Sequence, residues 1–222
     1  MRNDLFVSRC IRISLTAIYV LFSVQRLMAL GIWNENEIVF YTTVDRNVAF
    51  LFFGYLCVLF DNGLVRNACC ETVFLRYSSK RAWLRALLCQ SVIEVGLFCV
   101  AAGVLLTGLM LLFGVLPIFS ARSALFYAVL FLYFMMLRLI LIYLNIRIRN
   151  LNIAIGVTLA VNTVALAFGH SVYYPTRPAG VEWIGFAAAL AMVDLLLGVR
   201  AFLSLKRYEL YSDRNMRDLN GH

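Results

Sequence analysis

The sequence predicts an all-α fold: a polytopic membrane protein with six transmembrane helices and both termini in the cytoplasm. Three observations carry that prediction. The 222-residue chain is 63% hydrophobic and only 14% charged, whereas a soluble domain carries about 25% charged residues. Its mean hydropathy is +0.84, and the apolar content gathers into runs of roughly 20 residues, the length that crosses about 30 Å of hydrocarbon. Fifteen Lys and Arg side chains fall on one set of flanks of these runs and three on the other, an asymmetry that orients the chain with its basic flanks inside. The spans use up nearly the whole sequence, which leaves no room for a soluble catalytic domain.

In chain order, residues 1–11 carry Arg2 and Arg9 among Leu5, Phe6 and Val7. They lack a small-residue cleavage site behind a short apolar core, so they read as an interfacial lead-in and not as a removed signal peptide. The first span covers about 12–33 and closes on Trp33, before an acidic loop. The second covers about 46–65. The third, about 86–114, is long enough to tilt, and Pro117 marks its exit. Arg122 opens the fourth, about 123–146. The tight turn at 146–150 leads to the fifth, about 151–170, and the sixth runs about 181–204. Residues 205–222 form a polar cytoplasmic tail.

Between the second and third spans lies a long polar interruption, Asp61 to Glu94. It interleaves Arg66, Arg76, Lys80, Arg81 and Arg85 with Phe74, Tyr77 and Trp83. Val73, Phe74 and Tyr77 share one face of a helix, which leaves Glu71, Arg76 and Lys80 for water or a partner. The expectation is a short amphipathic helix that either rests on the headgroups or serves as the handle for a soluble protein.

Five spans each hold one ionisable residue: Arg26, Asp61, Glu94, Arg138 and Asp194. A charge at mid-bilayer costs at least about 2.5–3.5 kcal/mol, so such groups face protein or water. At about 1.5 Å per residue, Glu94, Arg138 and Asp194 all fall roughly 12–15 Å from the inner boundary. They are therefore expected to meet as a buried acid–base–acid cluster, either a structural ion pair, a gate or a proton relay. Asp61 sits where it can snorkel or cap a turn with Asn62 and Gly63, and Arg26 can snorkel outward. Gly185 and Ala189 in the sixth span, and Gly96, Gly103 and Gly108 in the third, are spaced for close helix packing.

Much chemistry is missing. The six cysteines lie in or beside apolar runs or in the inner stretch, which argues against a disulfide framework. No Cys/His spacing fits zinc, and no metal site is expected. A phosphate loop is absent, so ATP is not bound in that way by this chain. HExxH and GxSxG are absent too, and the intramembrane charges include no nucleophile, so an enzyme is not expected. The +8 net charge follows topology instead of forming one patch, which points away from nucleic acid.

Six spans, cytoplasmic termini and an amphipathic segment between the second and third resemble the membrane subunit of an ABC-2 type exporter. The run 66–88 is similar to the corresponding region of small permeases in bacteriocin or lantibiotic export and immunity systems, with Glu71, Arg76-Tyr77-Ser78-Ser79-Lys80-Arg81 and Trp83 at the matching positions. The resemblance implies a coupling helix in which Phe74 and Tyr77 enter a groove of a separate ATPase, with Glu71, Arg76, Lys80 and Arg81 at its rim. It implies a second permease chain, identical or paralogous, and ATP and Mg²⁺ held by the ATPases, none by this chain. The cargo expected is a peptide or lipid-like molecule, and the location is the plasma membrane. One departure is the loop at about 170–181, too short for the re-entrant hairpin of many relatives; it leaves open a reduced outer gate or a regulatory subunit. The alternatives are a non-transporting scaffold or immunity protein and, less favoured because the halves show no repeat, a proton-coupled transporter.

Overall fold

A computed structural model of the protein describes residue 77, residues 79–112, 121–148, 150–172 and 181–205, and isolated positions between 13 and 58. Within that set the chain is all helical. It forms α1 (Lys80–Leu112), α2 (Ala121–Ile148), α3 (Leu151–Val172) and α4 (Val181–Ser204). Three of these contain stretches long and apolar enough to cross a membrane: Lys80–Leu105, Tyr127–Ile148 and Ile184–Ser204. The apolar part of α3, Leu151–Val164, is shorter. These features are consistent with a membrane protein.

The expectation of six transmembrane helices is corrected accordingly: there are four helices among the described residues, and three of them have spanning length. The runs at 12–33 and 46–65 contribute only isolated helical positions, such as Ile13, Ile18 and Leu21 in the first and Gly54 and Val58 in the second. The termini lie outside the described residues.

Most of the amphipathic helix expected ahead of the third span lies outside the described residues; the start of that span is what the structure corrects. Tyr77 and Ser79 adopt bends, and Ser79 is the N-cap of α1: its hydroxyl accepts from the Ala82 amide at 3.1 Å, satisfying a donor that the first turn leaves free. Lys80 and Arg81 therefore begin α1 itself, six residues ahead of the boundary at 86. The cause is packing. Trp83, Leu84 and Leu87 are buried, so this turn gains apolar contacts while Arg81 and Arg85 project the other way.

Helix α2 is the centre of the bundle and packs against each of the other three. In its most apolar stretch 72% of residues are buried, against 33% in α1 and 11% in α4. Its position explains this, because it has a neighbour on three sides while α1 and α4 each keep an outer face. Phe98 of α1 meets Phe134 of α2 edge to face at 5.7 Å between ring centres. Two positions separate the end of α2 from the start of α3, and the two helices pack on each other. The Asn150 side chain caps α3 by accepting from the amides of Asn152 and Ile153 at 3.1 and 3.3 Å.

The core divides by depth. One cluster gathers Val95, Cys99, Val129, Leu130, Phe134 and Leu190. A second gathers Trp83, Leu84, Leu141, Ile146, Ala201 and Leu205 around the start of α1 and the ends of α2 and α4. The outward faces are apolar as well: Ile93, Leu97 and Val100 on α1 and Met192, Leu195 and Leu196 on α4 are exposed. Large apolar patches of this kind suit a lipid surface. Gly185 and Ala189 of α4 do not pack against the described residues: nothing stands within 4 Å of a Cβ added at Gly185, and Ala189 is exposed. Gly108 is equally open, whereas Gly96 faces Phe131 and Gly103 faces Tyr127.

Candidate functional site

Between the two core clusters runs a polar layer. Helix periodicity turns Leu87, Ser91 and Glu94 of α1 to the side that faces α2. The Ser91 hydroxyl is satisfied within its own helix by the Leu87 carbonyl at 2.7 Å. Arg138 of α2 reaches across, and its Nη2 lies 2.8 Å from Glu94 Oε2. Its Nη1 donates to the Ser91 carbonyl at 3.2 Å. Gln90 Nε2 donates to the other Glu94 oxygen at 3.0 Å. The side chains of Arg138 and Glu94 are 4% and 7% exposed, so each charge depends on the other and on these hydrogen bonds. An unpaired charge here would carry a desolvation cost of several kcal/mol.

Asp194 stands apart. It lies on the inward stripe of α4 with Leu190, Leu197 and Ala201, the side that packs on α2, and no ion pair to it is found among the described residues. Its Oδ1 is buried without a hydrogen-bond partner. The geometry thus joins Glu94 and Arg138 and leaves Asp194 outside the pair. Arg26 and Asp61 lie outside the described residues. As chemistry, the Glu94–Arg138 pair is a neutralised anchor between α1 and α2. It offers no nucleophile, and among the described residues no three His, Cys, Asp or Glu side chains gather to hold a metal.

A second polar contact was not foreseen from the sequence. The Tyr133 hydroxyl of α2 donates to Asn162 Oδ1 of α3, and Asn162 is fully buried. Gly54 is pressed against the same side chain: a Cβ at 54 would stand 2.6 Å from Asn162 Oδ1. One polar residue therefore ties three parts of the chain together. Attention to ionisable groups alone passes over it; a lone Asn in an apolar run was the signal, since amide groups in hydrocarbon must find partners.

The remaining expected site residues lie at or before the start of α1. Tyr77 and Arg81 are exposed and Lys80 is half-buried. Glu71, Phe74 and Arg76 fall outside the described residues. Trp83, by contrast, is 1% exposed and belongs to the core, where it unites α1 with the ends of α2 and α4. The chain matches no protein-family model, no curated protein and no solved structure.

Proposed function

We propose that the chain is the membrane-spanning permease subunit of an ABC exporter in the plasma membrane, with the basic end of its bundle in the cytoplasm. It works with a second permease chain, and separate ATPase subunits hold ATP and Mg²⁺. The cargo is a peptide or a lipid-like molecule. The observation that carries this reading is the start of α1. Tyr77 and Arg81 are presented outward while Trp83 and Leu84, two turns or less away, are locked in the core. A force applied to the segment 71–81 by a soluble partner is thereby handed to the packed ends of α1, α2 and α4. Packed interiors transmit displacement because they deform little.

In this mechanism Phe74 and Tyr77 seat in an ATPase groove, with Glu71, Arg76, Lys80 and Arg81 making charged contacts around it. The Glu94–Arg138 pair keeps α1 and α2 moving as one body. The test is co-purification from the native host of wild type and of a Phe74→Asp, Tyr77→Asp double variant. An ATPase that accompanies wild type and is lost from the variant supports the reading. If no ATPase accompanies wild type, or the variant retains it, the reading fails and a non-transporting scaffold takes its place.

A further inference from the structure

At the end of the bundle where Trp83 is buried, the outward side chains include four arginines. Arg81 and Arg85 are exposed on the first turns of α1, Arg147 on the last turn of α2, and Arg200 near the end of α4. The core shared by Trp83, Leu84, Ile146, Ala201 and Leu205 holds these three helix ends together. No carboxylate pairs with any of the four among the described residues: Glu94 is engaged with Arg138, and Arg147 donates only to the Tyr143 hydroxyl at 3.4 Å.

What lies beyond the arginines on the same faces decides the partner. On α1 Val92, 47% exposed, follows on the face of Arg81 and Arg85, and Ile93, Val100 and Val104, 60%, 63% and 65% exposed, form the adjoining stripe about a quarter turn round the helix. The step from Arg85 to Val92 is two turns, about 10 Å. On α4 the face of Arg200 continues through Leu196, Val193 and Met192, all exposed. Cationic heads without a carboxylate partner among the described residues, followed by open apolar surface, match an amphiphile that carries both features.

We infer that this end of the bundle binds anionic phospholipids, with the guanidinium groups of Arg81, Arg85 and Arg200 on the phosphates and the acyl chains along the outer stripes of α1 and α4. A soluble acidic protein would engage the arginines and leave the apolar stripes uncovered. A zwitterionic lipid would cover the stripes and leave the arginines without a net counter-charge. Each arginine contributes a positive charge that attracts anionic headgroups at the membrane surface. The binding is a property of the chain alone and does not depend on an ATPase.

The test uses the full chain reconstituted in phosphatidylcholine vesicles containing a trace of spin-labelled phosphatidylglycerol or spin-labelled phosphatidylcholine. Wild type is expected to immobilise the anionic label with a preference of about fivefold, the scale of one basic residue at a membrane surface, and the preference should shrink as salt rises. A triple variant, Arg81→Gln, Arg85→Gln and Arg200→Gln, should lose the preference while immobilising as much zwitterionic lipid as before. The corresponding Lys triple should keep it. A wild type without preference, a Gln triple that retains it or a Lys triple that loses it would overturn the inference.

Discussion

Arg138 and Glu94 lie 2.8 Å apart across the α1–α2 contact, separated by 44 residues of sequence and almost closed to solvent. The relationship is unequal in its consequences, because removing one partner leaves the other buried. Glu94→Gln or Arg138→Leu is expected to destabilise by about 3–5 kcal/mol. A Glu94→Leu, Arg138→Met double variant should cost far less and can equal wild type. Thermal unfolding in detergent, read as a double-mutant cycle, checks this; single and double variants of equal instability would refute it.

Asp194 is predicted to behave in the opposite way. Its Oδ1 is buried without a partner, and an unsatisfied buried polar group costs about 1–3 kcal/mol. Asp194→Leu should therefore leave the melting temperature unchanged or raise it. A clear fall would mean that the carboxylate has a partner in the folded protein.

The third expectation concerns Gly54. A Cβ there would collide with Asn162 Oδ1, which is held by the Tyr133 hydroxyl. Gly54→Ala should cost about 1–3 kcal/mol through overpacking, and adding Asn162→Ser should recover part of the loss. Tyr133→Phe removes one interhelical hydrogen bond, about 0.6–1.7 kcal/mol in a membrane bundle. Melting curves of the three variants measure these terms, and no recovery in the Gly54→Ala, Asn162→Ser pair would count against the collision.

Trp83 and Tyr77 are six residues apart and should respond very differently. Trp83 fills the inner core, so Trp83→Ala should cost about 3–5 kcal/mol. Tyr77 is exposed in a bend, so Tyr77→Ala should stay within about 0.5 kcal/mol. Only Tyr77, on the proposed function, should weaken capture of an ATPase without lowering the melting temperature.

Caps give a last, smaller prediction. Asn150→Ala removes the acceptor for two amides at the start of α3 and should cost about 0.5–2 kcal/mol. Asn150→Asp should lose little. Hydrogen exchange at Asn152 and Ile153 reads the effect locally: faster exchange is expected in the Ala variant, and unchanged protection would show that the cap matters little.

The helices from 80 onward were legible because long apolar runs end at residues with a definite local role: Asn150 as a cap, Arg122 and Arg147 as polar flanks. The start of α1 was less so. A hydropathy reading sets the boundary inside Arg81 and Arg85, yet these point away from the core on the same turns that bury Trp83 and Leu84. Depth along each helix brought Glu94 and Arg138 to one level. It grouped Asp194 with them because counting residues gives height and not the direction in which a side chain reaches. The Tyr133–Asn162 contact was illegible to a search confined to charges.

The two-residue separation of α2 and α3 has a consequence for how the chain is made. On the proposed placement in a membrane, Arg138 arrives with α3 two residues behind α2 and with its neutralising carboxylate already synthesised 44 residues earlier. An arginine costs about 2.5–3.5 kcal/mol at the centre of a lone inserted helix. In a membrane-inserted chain Glu94 of α1 precedes Arg138, so the order of synthesis has the carboxylate in place before the arginine needs it.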